Sequence, residues 1–406
     1  MNKLTLDDLQ EDEVRGKRAI VRVDYNVPLN DRLEVTDDTR ISSTVPTLQR
    51  LILLGARIVL LSHFGRPKGK AVPEMSLKPA AERLGQLLGK AVRFVGSTTD
   101  AAAVDATRSL GDGDVLLLEN TRYDAREEKN DAAMAEELAA LGDIYVNDAF
   151  GAAHRAHAST AGVAERIKER GGIAVAGLLM KRELDYLGDA LESPQRPFVA
   201  ILGGAKISGK IDVIQALLPK TDRLLIGGAM ANTFFRAQGL ATGTSLVEED
   251  RIELARALLS EASDKLVLPQ DVVVAQALEA GGETKVVSSS AIPDGWMALD
   301  IGPEAVNSYR EIVRAARTVL WNGPMGVAEI EEFRGGTEGV ANALTEATKS
   351  GATTVVGGGD SAAALLDLGL QDEVSHVSTG GGASLEFLEG KPLPGVEVLS
   401  PSRAGR

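Results

Sequence analysis

The chain has 406 residues, of which 44% are hydrophobic, 43 are glycine and none is cysteine, and 58 acidic against 44 basic side chains give a formal net charge of −14. That length exceeds what one hydrophobic core usually supports, so two domains are expected, while the negative charge opposes binding to nucleic acid or to an anionic membrane. The lack of cysteine excludes disulfides, thiolate metal sites and cysteine nucleophiles. The acidic start MNKLTLDDLQEDE has no apolar stretch of the secretory kind and no segment approaches a membrane span, so a cytoplasmic protein is expected.

From the N-terminus onward one unit recurs: a short run rich in Val, Ile and Leu, a polar or glycine turn, then a longer stretch of helical spacing. This is the βαβ pattern, and runs that do not alternate with polar residues imply a parallel sheet covered by helices on both faces. The strand expected at Arg57 to Leu61, for example, precedes Lys78 to Gly89, which sets Leu84, Leu87 and Leu88 on one helical face. The fold class expected is α/β, with two doubly wound, Rossmann-like domains.

In the first half the runs are VRVDYNVP (Val21 to Pro28), VLLSHFGRP (Val59 to Pro67), LLLENTR (Leu116 to Arg122) and YVNDAFGAAHRAH (Tyr145 to His157). They end in Asp, Asn, His and Arg. In an open parallel sheet the ligand sits outside the carboxyl ends of the strands, so these residues describe a ligand. Arg40, Arg66, Arg122 and Arg155 fall on that side, and their planar forks match carboxylate and phosphate; ordinary surface pairing is the other reading of any one of them. Arg22, inside a strand, is expected to face solvent. His63, His154 and His157 share these loops, but without acidic ligands at zinc spacing the His154 and His157 pair is not read as a metal site. A phosphate contact for His63 and a structural role for His157 are expected instead.

The helical stretch Gly177 to Leu191 runs into ESPQRPF (Glu192 to Phe198), whose prolines disfavour helix. The expected division is residues 1–184, residues 185–390 and a tail 391–406, with a hinge near 185 to 195; the tail beyond Pro394 is expected to be largely irregular.

The second half ends its runs in glycine: PFVAILGGAK (Pro197 to Lys206), RLLIGGAM (Arg223 to Met230), VLWNGPMG (Val319 to Gly326), TTVVGGGDS (Thr353 to Ser361) and VSTGGGAS (Val377 to Ser384). Such ends suit close approach of bare backbone to phosphate. GGAKISGKI (Gly203 to Ile211) fits G-x-x-x-x-G-K but continues with Ile211, where a Walker A loop needs Ser or Thr. Lys206 and Lys210 share a face if a helix begins there; a glycine turn with solvated lysines is the other reading. GGGDSAAALL matches a loose dinucleotide fingerprint. Asp360 within it is either a helix N-cap or an acid separated from phosphate by a cation, ordinarily magnesium.

Taken together and in order, VDYNVP, DDTRI, SHFGRP, ENTRY with EEKND, NDAFGAAHRAHAST, GGAKISGKI, GGAMANTF, WNGPMG, GGGDSAA and STGGGASLEFLEGKPLPGV resemble phosphoglycerate kinases over nearly the whole chain. Two departures from the commonest pattern are Phe64, where leucine is frequent, and TRYDAREEK, which replaces the usual Phe and Pro-Gly of that loop.

The resemblance implies an N-terminal domain for 3-phosphoglycerate, a C-terminal domain for nucleotide, and a tail that returns to the first. It implies reversible transfer of a phosphoryl group from 1,3-bisphosphoglycerate to ADP by a cytoplasmic monomer, directly and in line, on hinge closure. Asp24, Asn26 and Arg40 would hold the glycerate end, and His63, Arg66, Arg122 and Arg155 its 3-phosphate. Lys206 would contact the transferring group, Lys210 the nucleotide phosphates, Glu329 the ribose and Asp360 the magnesium. Gly358, Gly359, Asp360 and Ser361, with Gly380, Gly381 and Gly382, would present backbone amides.

The chemistry agrees with this assignment. A carboxylate nucleophile, with a reference pKa near ~4, needs no general base, so alignment and charge cancellation by Arg40, Lys206 and magnesium are expected to suffice. Two other classes are a nicotinamide-dependent oxidoreductase, which needs an acid about ~20 residues beyond the fingerprint, and a non-catalytic phosphosugar or nucleotide sensor. Asp372 and Glu373 come too early for the first, and Glu386 lies in an expected helix. The second has no need of Lys206.

Overall fold

Residues 2–403 are described by a computed structural model. The first six strands are β1 (Arg18–Arg22), β2 (Arg57–Leu61), β3 (Val92–Val95), β4 (Val115–Leu118), β5 (Ile144–Asn147) and β6 (Ile173–Ala176). They pair in parallel in the order β3-β4-β2-β1-β5-β6. Every residue of β4 and β5 is buried, as unalternating apolar runs require when helices cover both faces.

Helix Lys78–Leu88 shows how the local signals act: Pro79 stands in its first turn, Leu84 is fully buried, and Gly89 ends it in the left-handed conformation at φ 61°. Leu4 and Ser400, from opposite ends of the sequence, lie along β6. Ala176 N–H donates to Leu4 O at 2.9 Å, Leu4 N–H to Ser400 O at 2.8 Å and Ser400 N–H to Ala174 O at 2.8 Å, which pairs a sheet edge that would otherwise be open.

The next strands are β7 (Phe198–Leu202), β8 (Arg223–Ile226), β9 (Leu266–Val267), β10 (Asp271–Ala275), β11 (Thr284–Ser288), β12 (Met297–Ile301), β13 (Thr318–Asn322), β14 (Thr353–Gly357) and β15 (His376–Val377). Six of them form a second parallel sheet, β15-β14-β13-β7-β8-β9, whose strands follow the order of doubly wound dinucleotide folds. The other three form an antiparallel sheet, β11-β10-β12, that sequence reasoning did not anticipate. Strand β10, DVVVA, reads like the parallel strands, and nothing in such a run reports the direction of its neighbours.

The chain divides into two units, one running to Asp185 and resuming at Pro392, the other Tyr186–Lys391. Each has its own core: Val21, Leu48, Leu60 and Leu117 belong to the first, Ile201, Tyr309, Trp321 and Leu344 to the second. The tail after Pro394 was expected to be largely irregular; its described residues include one helical turn and are packed, and residues 404–406 lie outside the described residues. Pro394–Glu397 forms a helical turn, Leu393 and Leu399 are buried, and Gly395 O accepts from Asn147 Nδ2 at 2.8 Å at the end of β5. Apolar burial supplies the order that local composition does not.

The division falls within helix Leu178–Glu192, whose start is fastened to the first sheet. Asp148 Oδ1 accepts from Leu179 N–H at 2.9 Å and Met180 N–H at 3.1 Å, and Thr47 Oγ1 accepts from Leu178 N–H at 2.9 Å. A Cβ on Gly177 would come within 2.2 Å of Asp148 Oδ1, so the close approach requires glycine. Burial raises the Asp148 carboxyl from 3.8 to about 6, against the lowering effect of Thr47 and the two amides. The folded chain therefore binds this proton more tightly than the unfolded one, and the stabilisation present below 3.8 is withdrawn as pH rises through about 6. The full effect is roughly 3 kcal/mol. Asp148→Asn is accordingly expected to change melting temperature, relative to the parent, more favourably at pH 8 than at pH 5; an equal change at both would contradict it.

Candidate active site

The carboxyl ends of β1, β2, β4 and β5 carry one connected polar cluster. Arg22, the last residue of β1, is fully buried rather than solvent-facing. The correction follows from the sheet itself: a strand covered on both faces has no solvent side to offer. Arg22 Nε donates to Ser159 Oγ at 2.8 Å, one terminal nitrogen donates to Val23 O, and Nη2 lies 3.1 Å from His63 Nδ1. Ser159 Oγ in turn donates to Glu127 Oε1 at 2.5 Å. Glu127 is also fully buried and accepts from Ser159 N–H at 3.0 Å and Thr121 Oγ1 at 3.2 Å.

A guanidinium can only donate, so His63 must accept at Nδ1 and carry its proton on Nε2. Burial drives His63 well below its ordinary 6.5, with Arg22, Arg122 and Arg40 acting the same way against Asp24. It is therefore neutral near pH 7, with one N–H available as a donor. Asp24 stands 3.9 Å from His63 Nδ1 and accepts from Arg40 Nη1 at 2.6 Å. Burial pushes the Asp24 carboxyl upward, but His63, Arg40, Arg22 and the Asn26 amide together outweigh it and hold the group below its usual range.

Asn26 and Arg122 meet at the next loop. Asn26 Oδ1 accepts from Gly65 N–H at 2.9 Å, and Arg122 Nη1 donates to Gly65 O at 2.8 Å. Arg122 is held below its usual pKa by burial and by Arg22 and Arg155, while Glu128, 3.4 Å from Nε, opposes the shift. Burial and the same three arginines push His157 down to about 4. Arg155 Nε donates to His154 Nε2 at 3.1 Å. Arg66 is exposed on the turn after Gly65. The structure thus pairs Asp24 with Arg40 and sets His63 beside them, brings Asn26 and Arg122 to the two sides of Gly65, sets Arg155 within the field of Arg122, and leaves Arg66 exposed at the rim. Such a concentration of positive charge under low exposure is suited to a small polyanion.

The second set lies beyond β7, β13, β14 and β15. Lys206 and Lys210 do not share a helical face as one reading expected. Ile207 is buried and accepts from Lys210 N–H at 2.8 Å, so residues between the lysines form a turn, and the helix Ile211–Leu217 starts only after Lys210. Lys206 is exposed. Lys210 Nζ donates to Asn322 Oδ1, the side chain that ends β13, and burial lowers its pKa to about 8 against the pull of Asp360 and Glu389.

Not every glycine here awaits a ligand. A Cβ on Gly203 would meet Pro324 O at 2.0 Å, and one on Gly323, at φ 97°, would meet Gly203 O at 2.3 Å. These two serve the packing of the β7 and β13 loops on each other, where the strand order reverses. Around Gly359 and Gly381 a Cβ would find nothing within 4 Å, and these remain open to approach. Gly380 N–H already donates to Ser378 Oγ at 3.1 Å, so it does not supply the free amide expected of it.

Asp360 is not a helix N-cap. Gly358, at φ 89°, caps helix Gly359–Asp367, and Asp360 is exposed in its first turn. Ser361 is buried, and its hydroxyl accepts from Gly323 N–H at 2.7 Å, which ties the β14 loop to the β13 loop. Glu329 and Asp360 face one pocket, lined also by Pro324, Ala328, Thr337 and Leu368.

The sequence profile described as phosphoglycerate kinase matches residues 6–391. The phosphoglycerate kinase of Herpetosiphon aurantiacus is 57% identical over 403 residues, covering 98% of this chain and 100% of the relative, and that of Chlorobium limicola is 53% identical with the same coverage. This chain belongs to the phosphoglycerate kinase family. Solved phosphoglycerate kinases share the fold: that of Coxiella burnetii superposes with a TM-score of 0.87 at 41% identity, and that of Pyrococcus horikoshii with 0.83 at 31%, each covering 98% of both chains. Membership in the phosphoglycerate kinase family removes the nicotinamide reading of GGGDSA. No helix among the described residues is long and apolar enough to cross a membrane.

Arg22, Ser159, Glu127 and Asn322 are absent from the residues that motif reasoning selected. For Arg22 a signal existed, a charged residue within an unbroken apolar strand; for Glu127, in a run of charges, none did. Replacing Arg22 with Met should lower the unfolding free energy in urea by roughly 1 to 3 kcal/mol, since it removes the donor shared by buried Ser159 Oγ, Val23 O and His63 Nδ1. A loss below about 0.5 kcal/mol would show that these acceptors find compensation elsewhere.

Proposed function

We propose that this chain carries out the phosphoryl transfer of its family by holding the acyl ligand on the first set of loops and the nucleotide on the second. The reaction is reversible transfer from 1,3-bisphosphoglycerate to ADP, giving 3-phosphoglycerate and ATP. The observation that carries the residue assignment is the Arg22–His63–Asp24–Arg40 series, which runs from fully buried Arg22 to half-exposed Arg40 and keeps cationic donors and a neutral histidine N–H at strand ends. Asp24, Asn26 and Arg40 hold the glycerate end in this reading, and His63, Arg66, Arg122 and Arg155 its 3-phosphate. Lys206 reaches the transferring phosphoryl, Lys210 the nucleotide phosphates and Glu329 the ribose, with the open glycine backbone of Gly359 and Gly381 beside the phosphates.

No group of three or more His, Asp or Glu able to hold a metal occurs among the described residues. That does not conflict with magnesium, which usually takes one or two carboxylates and completes its shell with water and substrate phosphates. Exposed Asp360, in the first turn of a helix beside open glycine, fits such a shared site. Magnesium would supply neutralisation of phosphate charge there. The acceptor carboxylate is already ionised at neutral pH, so the protein's task is to align it and to cancel charge, which Arg40 and Lys206 do. The two ligands must meet for in-line transfer, and closure about the segment near residues 185 to 195 is part of the proposal. So are monomeric action and a cytoplasmic setting.

Formation of acyl phosphate from ATP and 3-phosphoglycerate, coupled to its reductive consumption, tests the reading. Turnover should require magnesium, and Arg40→Ala and Lys206→Ala should each lower kcat by at least about tenfold. A smaller loss for Lys206→Ala would remove it from the transferring group, and tight binding of both ligands without turnover would indicate a sensor.

A further inference from the structure

The antiparallel sheet β11-β10-β12 has no part in the assignments above, yet one of its residues reaches the nucleotide side. Asp300, on β12, is buried. Its Oδ2 accepts from Gly336 N–H at 2.6 Å, in the first turn of helix Gly335–Lys349, and its Oδ1 accepts from Ile301 N–H at 2.9 Å. A Cβ on Gly326 would lie 2.2 Å from Asp300 Oδ1, and one on Gly336 2.3 Å from it. The carboxylate therefore fills the seam between the loop that follows β13 and the start of that helix.

The neighbouring contacts hold the same loop. Met325 N–H donates to Thr337 Oγ1 at 3.0 Å, and Val327 N–H donates to Leu299 O at 3.0 Å. Three consecutive loop residues are thus fastened by Thr337, Asp300 and Leu299 in turn. Two residues later comes Glu329, and Glu329, Thr337 and Glu338 line one pocket. Both walls of that pocket, loop and helix start, meet on the Asp300 carboxylate.

We propose that Asp300 is a positioning residue for nucleotide binding: by bonding Gly336 and packing on Gly326 it sets the β13 loop, and with it Glu329, at the distance from helix Gly335–Lys349 that the nucleotide requires. This rests on the reading of Glu329 as a nucleotide contact. A carboxyl group is suited to the place because each of its two oxygens can accept, Oδ2 from Gly336 N–H and Oδ1 from Ile301 N–H, while both pack on glycine backbone. Burial pushes its carboxyl up to about 7, with Glu338 adding to the rise and the Gly336 and Ile301 amides opposing it, so the group is held there at a cost in stability. An asparagine keeps the volume but must turn its NH2 toward one of the two donors, which loses a hydrogen bond and opens the seam.

The test is Asp300→Asn assayed in the full chain with ATP and 3-phosphoglycerate varied separately, alongside calorimetric titration with ADP. The expected result is a KM for ATP and a Kd for ADP raised about tenfold or more, with the KM for 3-phosphoglycerate within about twofold and kcat within about threefold of the parent. Unchanged nucleotide affinity, or a parallel rise in both KM values, overturns the proposal. A purely structural loss would move melting temperature and activity without this split. Should Asp300→Asn fail to fold, Asp300→Ser, which lacks the two oxygens that meet Gly336 N–H and pack on Gly326, is judged by the same two outcomes. Glu329→Ala separates the two levels: if it leaves nucleotide affinity unchanged the reading of Glu329 fails, whereas a weakened Glu329→Ala beside an unaffected Asp300→Asn overturns the positioning role alone.

Discussion

Both six-stranded sheets are hydrogen-bonded in parallel throughout and covered on both faces, and this constraint decides where chemistry can occur and which side chains must be buried to support it. Strands so covered cannot present a polar group along their length without enclosing it. The loops at their carboxyl ends are the places where polar side chains converge while their backbones stay anchored. Arg22, Asn147 and Asn322 are the last residues of β1, β5 and β13, and each turns a polar side chain into the loop region above: toward Ser159 and His63, toward Gly395, and toward Lys210.

Enclosed polar groups are costly unless satisfied, and the chain satisfies them in series. Glu127 supports Ser159, Ser159 supports Arg22, Arg22 fixes the tautomer of His63, and Asp24 pairs with Arg40. The residues proposed to bind ligand, at the solvent end of this series, therefore depend on buried residues with no proposed ligand contact. Asp148 and Asp300 follow the same logic one step further from the loops. Each buries a carboxylate to cap a helix start, Leu178–Glu192 in one case and Gly335–Lys349 in the other, and each forces glycine on the backbone that crosses it.

Much of this was legible beforehand because local and global signals coincide. Unbroken apolar runs announced parallel strands, Gly89 marked a helix end, and the residues after β1, β2, β4 and β5 announced the arginine-rich polar cluster found at those strand ends. The motif residues Asp24, Arg40 and His63 do meet, and Glu329 and Asp360 do share a pocket. Other signals misled. A glycine cluster was read as a place for phosphate, but Gly203 and Gly323 are needed because two loops cross there, and composition does not distinguish a ligand from a second loop. The spacing of Lys206 and Lys210 suggested one helical face, but burial of Ile207 makes the segment a turn.

The sequence by itself determined the α/β class, the positions of the main parallel strands and the family, because apolar periodicity and ordered motifs are properties of consecutive residues. Only the tertiary structure decided that Arg22 is enclosed rather than solvated, that Glu127 stands behind it, that Gly380 has spent its amide on Ser378, and that an antiparallel sheet brings Asp300 to the β13 loop. For three of these the physical reason is a partner far away in the chain: Ser159 for Arg22 and for Glu127, and Gly326 and Gly336 for Asp300. Where the partner is close, as Ser378 is to Gly380, the outcome turns on a backbone conformation, and the residue types alone do not specify it.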